Sequence, residues 1–190
     1  MTTKESLNNI LKEIIERKHE ELGLGRDYNY IFSKIKDFEA NAIGQIGEEY
    51  ARQICRRIVD IEQEDNENVH DEFDISTETG LKIEIKTARL GKTNTFQFNG
   101  IEPRRNYDYI LCIGICLDRV VYRIFSHKDI KYVHEVRKYY VVQNGNFKKQ
   151  LVKMNPDNLV SYKLTTSLKE MYEIEKLPQE LKQIFDKKNV

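Results

Sequence analysis

Residues 81–86, Leu-Lys-Ile-Glu-Ile-Lys, alternate apolar and charged side chains without a break. A helix turns 100° per residue and would scatter this pattern. A strand with one buried face needs it, because successive side chains point to opposite sides. Leu81, Ile83 and Ile85 then form an apolar face, and Lys82, Glu84 and Lys86 share the other. The preceding segment alternates in the same way, with Phe73 and Ile75 pointing one way and Glu72, Asp74 and Ser76 the other. Between the two runs, Thr79-Gly80 supplies a tight turn, the glycine being free to take positive φ. Residues 70–89 therefore read as a β-hairpin that brings Asp74, Glu84 and Lys86 onto one face, backed by an apolar sheet.

The remaining chain supplies what such a hairpin packs against. Residues 3–23 form an amphipathic helix, with Leu7, Ile10, Leu11, Ile14 and Ile15 at helical spacing, ended by Gly23-Leu24-Gly25. It reads as a packing helix ahead of a DNA-reading or dimerising one. Residues 26–40, with Tyr28, Tyr30, Ile31, Ile35 and Phe38, suggest a second, shorter helix. Residues 41–57 give a stronger one, with Ile43, Gly47, Tyr50, Ala51 and Ile54 as its buried stripe. Gly44 and Gly47 are costly inside a helix and imply close backbone approach, to the sheet or to a phosphate. Residues 57–61 read as a strand, and residues 62–70 as an acidic, polar loop in which His70 is a solvated residue before it is a catalytic base.

After the hairpin, residues 88–106 lack a strong period. The run 107–117, Tyr-Asp-Tyr-Ile-Leu-Cys-Ile-Gly-Ile-Cys-Leu, reads as a central strand buried on both faces. Residues 120–125 form the next strand, and Ser126 caps a short helix from His127 to about Glu135. Residues 136–164 read as a small β extension whose hairpin turns at Asn144-Gly145, with Lys148, Lys149 and Lys153 on its second arm. A DNA-recognition appendage and a structural cover fit it equally. Residues 165–188 read as helical, with Leu168, Met171, Ile174 and Leu177 as a face and a restart at Pro178. The expectation is one α/β domain over residues 1–190: a helical N-terminal extension (1–40), a catalytic core (41–135) and a β-hairpin and helical C-terminal extension (136–190).

Composition removes several classes. No run approaches the ~20 apolar residues of a membrane helix, and the N-terminus lacks the layout of a signal peptide. Cys55, Cys112 and Cys116 are odd in number and form no C-x-x-C pair, so buried reduced thiols and a cytosolic, cytoplasmic location are expected, and no zinc site. Net charge is zero, with 31 basic and 31 acidic residues, which argues against a sequence-blind nucleic-acid coat. Locally the balance differs: residues 82–105 hold Lys82, Lys86, Arg89, Lys92, Arg104 and Arg105 against Glu84 and Glu102, a patch that suits a phosphate backbone.

Two carboxylates on adjacent strands can hold a hard divalent cation such as Mg²⁺. A lysine one strand repeat away can orient water or neutralise a phosphate. Together these are the equipment for phosphodiester hydrolysis. Asp74 followed ten residues later by Glu84-Ile85-Lys86 resembles the motif of the PD-(D/E)xK nuclease superfamily, the restriction-endonuclease-like fold. Phe73 stands where the motif's proline would be, and the resemblance covers roughly residues 41–130. It implies a restriction-endonuclease-like core, a central mixed β-sheet flanked by helices, with N- and C-terminal helical additions. Many members place a further glutamate on the preceding helix, and Gly44-Gln45-Ile46-Gly47-Glu48 matches that setting. Glu48 is then either a third metal ligand or a solvated residue.

The implied activity is that of a Mg²⁺-dependent endodeoxyribonuclease, with Mn²⁺ able to substitute. Asp74, Glu84 and Glu48 would be its metal ligands and Lys86 its water-positioning cation. Its substrate would be duplex DNA, as for a type II restriction endonuclease paired with a cognate methyltransferase, and cutting both strands implies a homodimer. Lys82, Arg89, Lys92, Gln97, Arg104 and Arg105 are the candidate DNA contacts, amides suiting adenine edges and arginines guanine. Gln97 is also a candidate for orienting water. A structure-directed repair or resolvase nuclease would use the same residues. A DNA-binding module without chemistry is the third reading, and the intact Asp-Glu-Lys set argues against it.

Overall fold

The computed structural model describes residues 4–22, 30–59, 73–134, 138–157 and 160–188. Among the described residues three helices, α1 (Lys4–Glu21), α2 (Ala40–Cys55) and α3 (Leu177–Lys188), accompany ten strands. The strands are β1 (Ile75–Ser76), β2 (Lys82–Arg89), β3 (Thr95–Ile101), β4 (Tyr109–Ile115), β5 (Val120–Ser126), β6 (Ile130–Val133), β7 (Tyr139–Asn144), β8 (Phe147–Lys153), β9 (Tyr162–Ser167) and β10 (Tyr172–Glu173). The protein is α/β. They form two five-stranded sheets, ordered β1-β2-β4-β5-β10 and β3-β9-β8-β7-β6. The first is mixed: β2 and β4 run parallel, in register from Ile83 opposite Tyr109 to Arg89 opposite Ile115, and its other pairs are antiparallel. A parallel pair needs a crossover, and here the chain makes it through β3 of the second, antiparallel sheet.

Side-chain parity decides which layer each residue joins. From the first sheet, Ile83, Ile85, Leu111, Ile113, Tyr122 and Ile124 pack with the helices. The alternate residues Ala88, Ile110, Cys112, Val121 and Phe125 pack with Phe96, Phe98, Val142, Leu151 and Leu164 of the second sheet. The result is three layers, helices over sheet over sheet, with the first sheet buried on both faces. That is why β4 is apolar throughout, as residues 107–117 predict. Helices α1 and α3 share one core with α2, so the two ends of the chain are integral to the fold rather than additions to it.

Several expected elements take other forms. Residues 57–59 are a turn rather than a strand, and the remainder of that strand, the acidic loop and His70 lie outside the described residues. Residues 33–37 and 168–170 are single 3₁₀ turns, and 174–176 another. The sequence shows why. Phe32, Ile35 and Phe38 follow a strict spacing of three, as do Leu168, Met171, Ile174 and Leu177. Three residues per turn is the 3₁₀ period, whereas an α-helical stripe mixes threes and fours. The final helix begins at Leu177, with Pro178 in its first turn, where a missing N–H costs nothing. The expected helix from His127 stops after one turn, closed by reciprocal hydrogen bonds between Ser126 and Asp129. Ile130–Val133 then pairs with β7 as a strand. The predicted hairpin at Asn144 is present, its two-residue turn opening on Gly145 at φ 53°. The β extension is larger than expected, because β3 joins it through β9.

Candidate active site

The β1–β2 hairpin forms as its alternation requires. Ile75 pairs with Ile83 and Ser76 with Lys82, and Gly80 takes φ 71° in the turn. Thr77 closes that turn: its N–H donates to the Leu81 carbonyl at 3.0 Å and its hydroxyl accepts from the Leu81 N–H at 3.1 Å. Asp74, just ahead of β1, is held at three points. Its N–H donates to the Ile83 carbonyl, its Oδ2 accepts from the Ile85 N–H at 2.6 Å, and its carbonyl accepts from Arg52 Nη2 at 3.0 Å. Phe73 departs from the expected alternation. It packs with the second-sheet core, and Lys82 Nζ lies 4.8 Å from its ring centre.

Glu84 and Lys86 project from β2 toward the second sheet, opposite Ile110 and Cys112 of β4. Glu84 is only 4 % exposed, and its Oε1 forms an ion pair with Lys86 Nζ. Burial raises the Glu84 carboxyl above its ordinary range. Lys86 opposes that rise, and the neighbouring Asp74 charge adds to it. Asp74 is raised as well, again chiefly by burial, against the pull of the Ile85 N–H, Lys86, Arg52 and Arg105. Asp74, Glu84 and Lys86 are thus one electrostatic unit.

The roof of this site comes from β3. At Phe98 to Ile101 the β3–β9 register shifts, and Gly100 takes φ 75°. Such a bulge re-aims a strand locally, and a Cβ on Gly100 would lie 3.7 Å from Lys86 Nζ. Arg105 pairs with Glu102 at 2.8 Å and lowers the proton affinity of both Asp74 and Glu84. Tyr107 is buried, its hydroxyl has no hydrogen-bond partner, and the Glu84 charge adds to the burial that pushes its ionisation upward. Arg52, Gly100 and Tyr107 are site neighbours that the hairpin motif does not point to. An isolated glycine in the alternating run 95–101 was the available signal for the bulge.

Other candidates fall elsewhere. Gly47 brings α2 down on β2: a Cβ there would overlap Thr87 Oγ1 and lie 2.7 Å from Thr87 Cβ. The close approach is to the sheet. Gly44 shows none, a Cβ there meeting only Glu48 Oε1 at 3.8 Å. α2 covers the Ile83–Ile85–Thr87 face while Glu84 points from the other, and Arg52, one turn beyond Glu48 on α2, reaches the Asp74 carbonyl. Among the described residues no group of three or more acids, histidines or cysteines is arranged to hold a metal. The metal-type donors here are a pair, Asp74 and Glu84. Glu49 forms an ion pair with Arg17 of α1. Arg89, assigned from sequence to DNA contact, lies on the helical face and donates to the carbonyls of Ile35 and Lys36 at 3.1 and 2.8 Å. Gln97 is exposed and donates to Asn99 at 3.1 Å rather than reaching the carboxylates. Lys92 and Arg104 are exposed, and Arg104 Nε donates to the Tyr140 hydroxyl at 3.3 Å.

The donor set fits a hard divalent cation. Two desolvated carboxylates, Glu84 raised further by the Asp74 charge, lose that penalty when a cation neutralises them. Cys55, Cys112 and Cys116 are buried and form no disulfide. No helix among the described residues is long and apolar enough to cross a membrane. Compared with known proteins, the chain matches no family model and no curated protein.

Proposed function

We propose that the chain is a Mg²⁺-dependent endonuclease hydrolysing phosphodiester bonds in DNA, on a core of the PD-(D/E)xK, restriction-endonuclease-like kind. The observation that carries this is the convergence of Asp74, Glu84 and Lys86 between the two sheets. For stability alone the arrangement is poor, since burying two neighbouring carboxylates costs energy that a solvated face would not. Asp74 and Glu84 hold the cation, Mg²⁺ or Mn²⁺ in its place. When bound it supplies Lewis-acid polarisation of the phosphoryl oxygen and neutralises its charge.

The chain's own groups do the rest. The backbone N–H of Ile85 fixes the Asp74 carboxylate, so its geometry is set before substrate arrives. Glu84 anchors the Lys86 ammonium, which positions the attacking water and offsets charge building on the phosphate. Arg105 adds positive field from the roof. Water attacks phosphorus in line as the P–O3′ bond breaks, leaving a 5′-phosphate and a 3′-hydroxyl. Cutting both strands of a duplex takes two such sites, hence a homodimer, and a restriction role would pair the enzyme with a cognate methyltransferase.

The test is digestion of plasmid, phage and branched DNA with Mg²⁺, comparing wild type with Lys86→Ala. Discrete duplex fragments that disappear in the variant, with a loss of at least about 10²-fold in rate, are expected for a restriction enzyme. Cutting confined to branched DNA would replace that reading with a structure-directed nuclease. No cutting of any substrate, or cutting that survives Lys86→Ala, would sink the proposal.

A further inference from the structure

The inner face of the second sheet packs on the first through Phe98, Val142 and Leu164, and then continues past it as a row of aromatic rings. Cross-strand pairing puts Tyr132 of β6 opposite Tyr140 of β7. Their ring centres are 4.9 Å apart, Tyr140 and Tyr162 are 5.2 Å apart, and His134 sits 4.4 Å from Tyr132. The end of this row is open, with Tyr132 39 % exposed. Its contacts are tilted or edge-to-face, so the ring faces are not all spent on one another.

Cations border the row. Arg104 Nε donates to the Tyr140 hydroxyl, and Lys153 pairs with Tyr162 across β8 and β9, which sets both on one face of the sheet. A cleft lies at the inner end of the row, lined by Tyr140, Tyr162 and Arg104, with Glu102 and Arg105 on its other wall. Arg105 is the residue whose charge reaches Asp74 and Glu84. Glu102, on the cleft wall, stands two residues from Gly100, which roofs Lys86.

Paired bases in a duplex present no free π face to a side chain. Tyrosines interleaved with cations match the opposite case, a strand whose bases are unstacked and whose phosphates need neutralising. We propose that this cleft, together with the exposed sheet face beside it, binds the single-stranded segment of a DNA junction, bases against Tyr132 and Tyr140 and phosphates against Arg104 and Lys153, with the adjoining bond presented to Asp74, Glu84 and Lys86. The inference rests on the endonuclease reading and makes its substrate a duplex carrying an unpaired tail or branch.

The test measures binding and cutting separately. In EDTA, fluorescence anisotropy compares a blunt duplex with the same duplex bearing a single-stranded tail. Wild type binds the tailed DNA about tenfold more tightly, one stacked base being sufficient for that factor. Tyr132→Ala abolishes the preference, Tyr132→Phe keeps it, and the melting temperatures stay level. Should Tyr132→Ala fold poorly, Arg104→Gln serves instead, lowering tailed-DNA affinity and flattening its salt dependence. Equal affinity for blunt and tailed DNA in wild type, or a preference that survives both substitutions, would overturn the proposal. Cutting in Mg²⁺ without tail preference leaves the endonuclease and removes the cleft. Tail preference with no cutting of any DNA leaves the cleft and removes the endonuclease.

Discussion

At the scale of single residues, carboxylates in this protein are tuned in opposite directions by what they face. Glu170 is the contrast to Glu84. Burial would raise it, but the Lys149 ammonium at 2.8 Å and the Ser167 N–H and hydroxyl, each at 2.8 Å, hold it down at about 2. A carboxyl held below its ordinary value near 4.5 stabilises the fold above that pH, and the contribution is lost as pH falls toward about 2. Glu170→Gln should therefore cost about 1 kcal/mol at neutral pH, screening included. In acid titrations followed by circular dichroism, the gap from wild type should close as pH drops from about 4.5 to about 2. A constant gap would show that hydrogen bonding, not charge, ties Glu170 in place. Glu84 and Lys86 were legible in sequence because strand parity is strict and local. Asp74 was legible because the turn length sets its register. Arg89 was not, since its destination depends on which face of β2 the helices cover, a fact settled by long-range packing.

At the scale of elements, the fit of α2 on β2 depends on one of its two glycines. Gly47→Ala forces a methyl into Thr87 and should destabilise by about 1–3 kcal/mol. Gly44→Ala makes only an ordinary contact with Glu48 and should stabilise by up to about 1 kcal/mol through helix propensity. Urea denaturation of the two variants reads both signs, and equal effects would mean the helix shifts freely on the sheet. The misread segments share one cause. Residues 168–177 carry apolar side chains at a spacing of three, which reads as one helical face. In the fold they form two 3₁₀ turns around β10, because Tyr172 and Glu173 complete the edge of the first sheet against Tyr122 and Val121. Residues 130–133 similarly become a strand once β7 offers a partner. Amphipathic helices and buried strands announce themselves, whereas short edge strands are created by neighbours distant in sequence.

At the scale of the whole molecule, the two carboxylates make metal binding and stability one measurement. A cation that binds the folded state alone adds RT ln(1 + [L]/Kd), about 2.7 kcal/mol at a hundredfold excess over Kd. Mg²⁺ should raise the melting temperature of wild type and leave that of Asp74→Asn unmoved. An equal rise in both would place the ion elsewhere.

The roof strand β3 carries a consequence for how the proposed site comes into being. In its sheet, β3 sits at the edge, paired with β9, and among the described elements β9 is followed by two 3₁₀ turns, β10 and α3. A chain emerging from the ribosome can build the hairpin with Asp74, Glu84 and Lys86 early. It cannot seat Gly100 over Lys86 until β9 (Tyr162–Ser167) has been made. Copies cut short before β9 would carry Asp74, Glu84 and Lys86 without their roof.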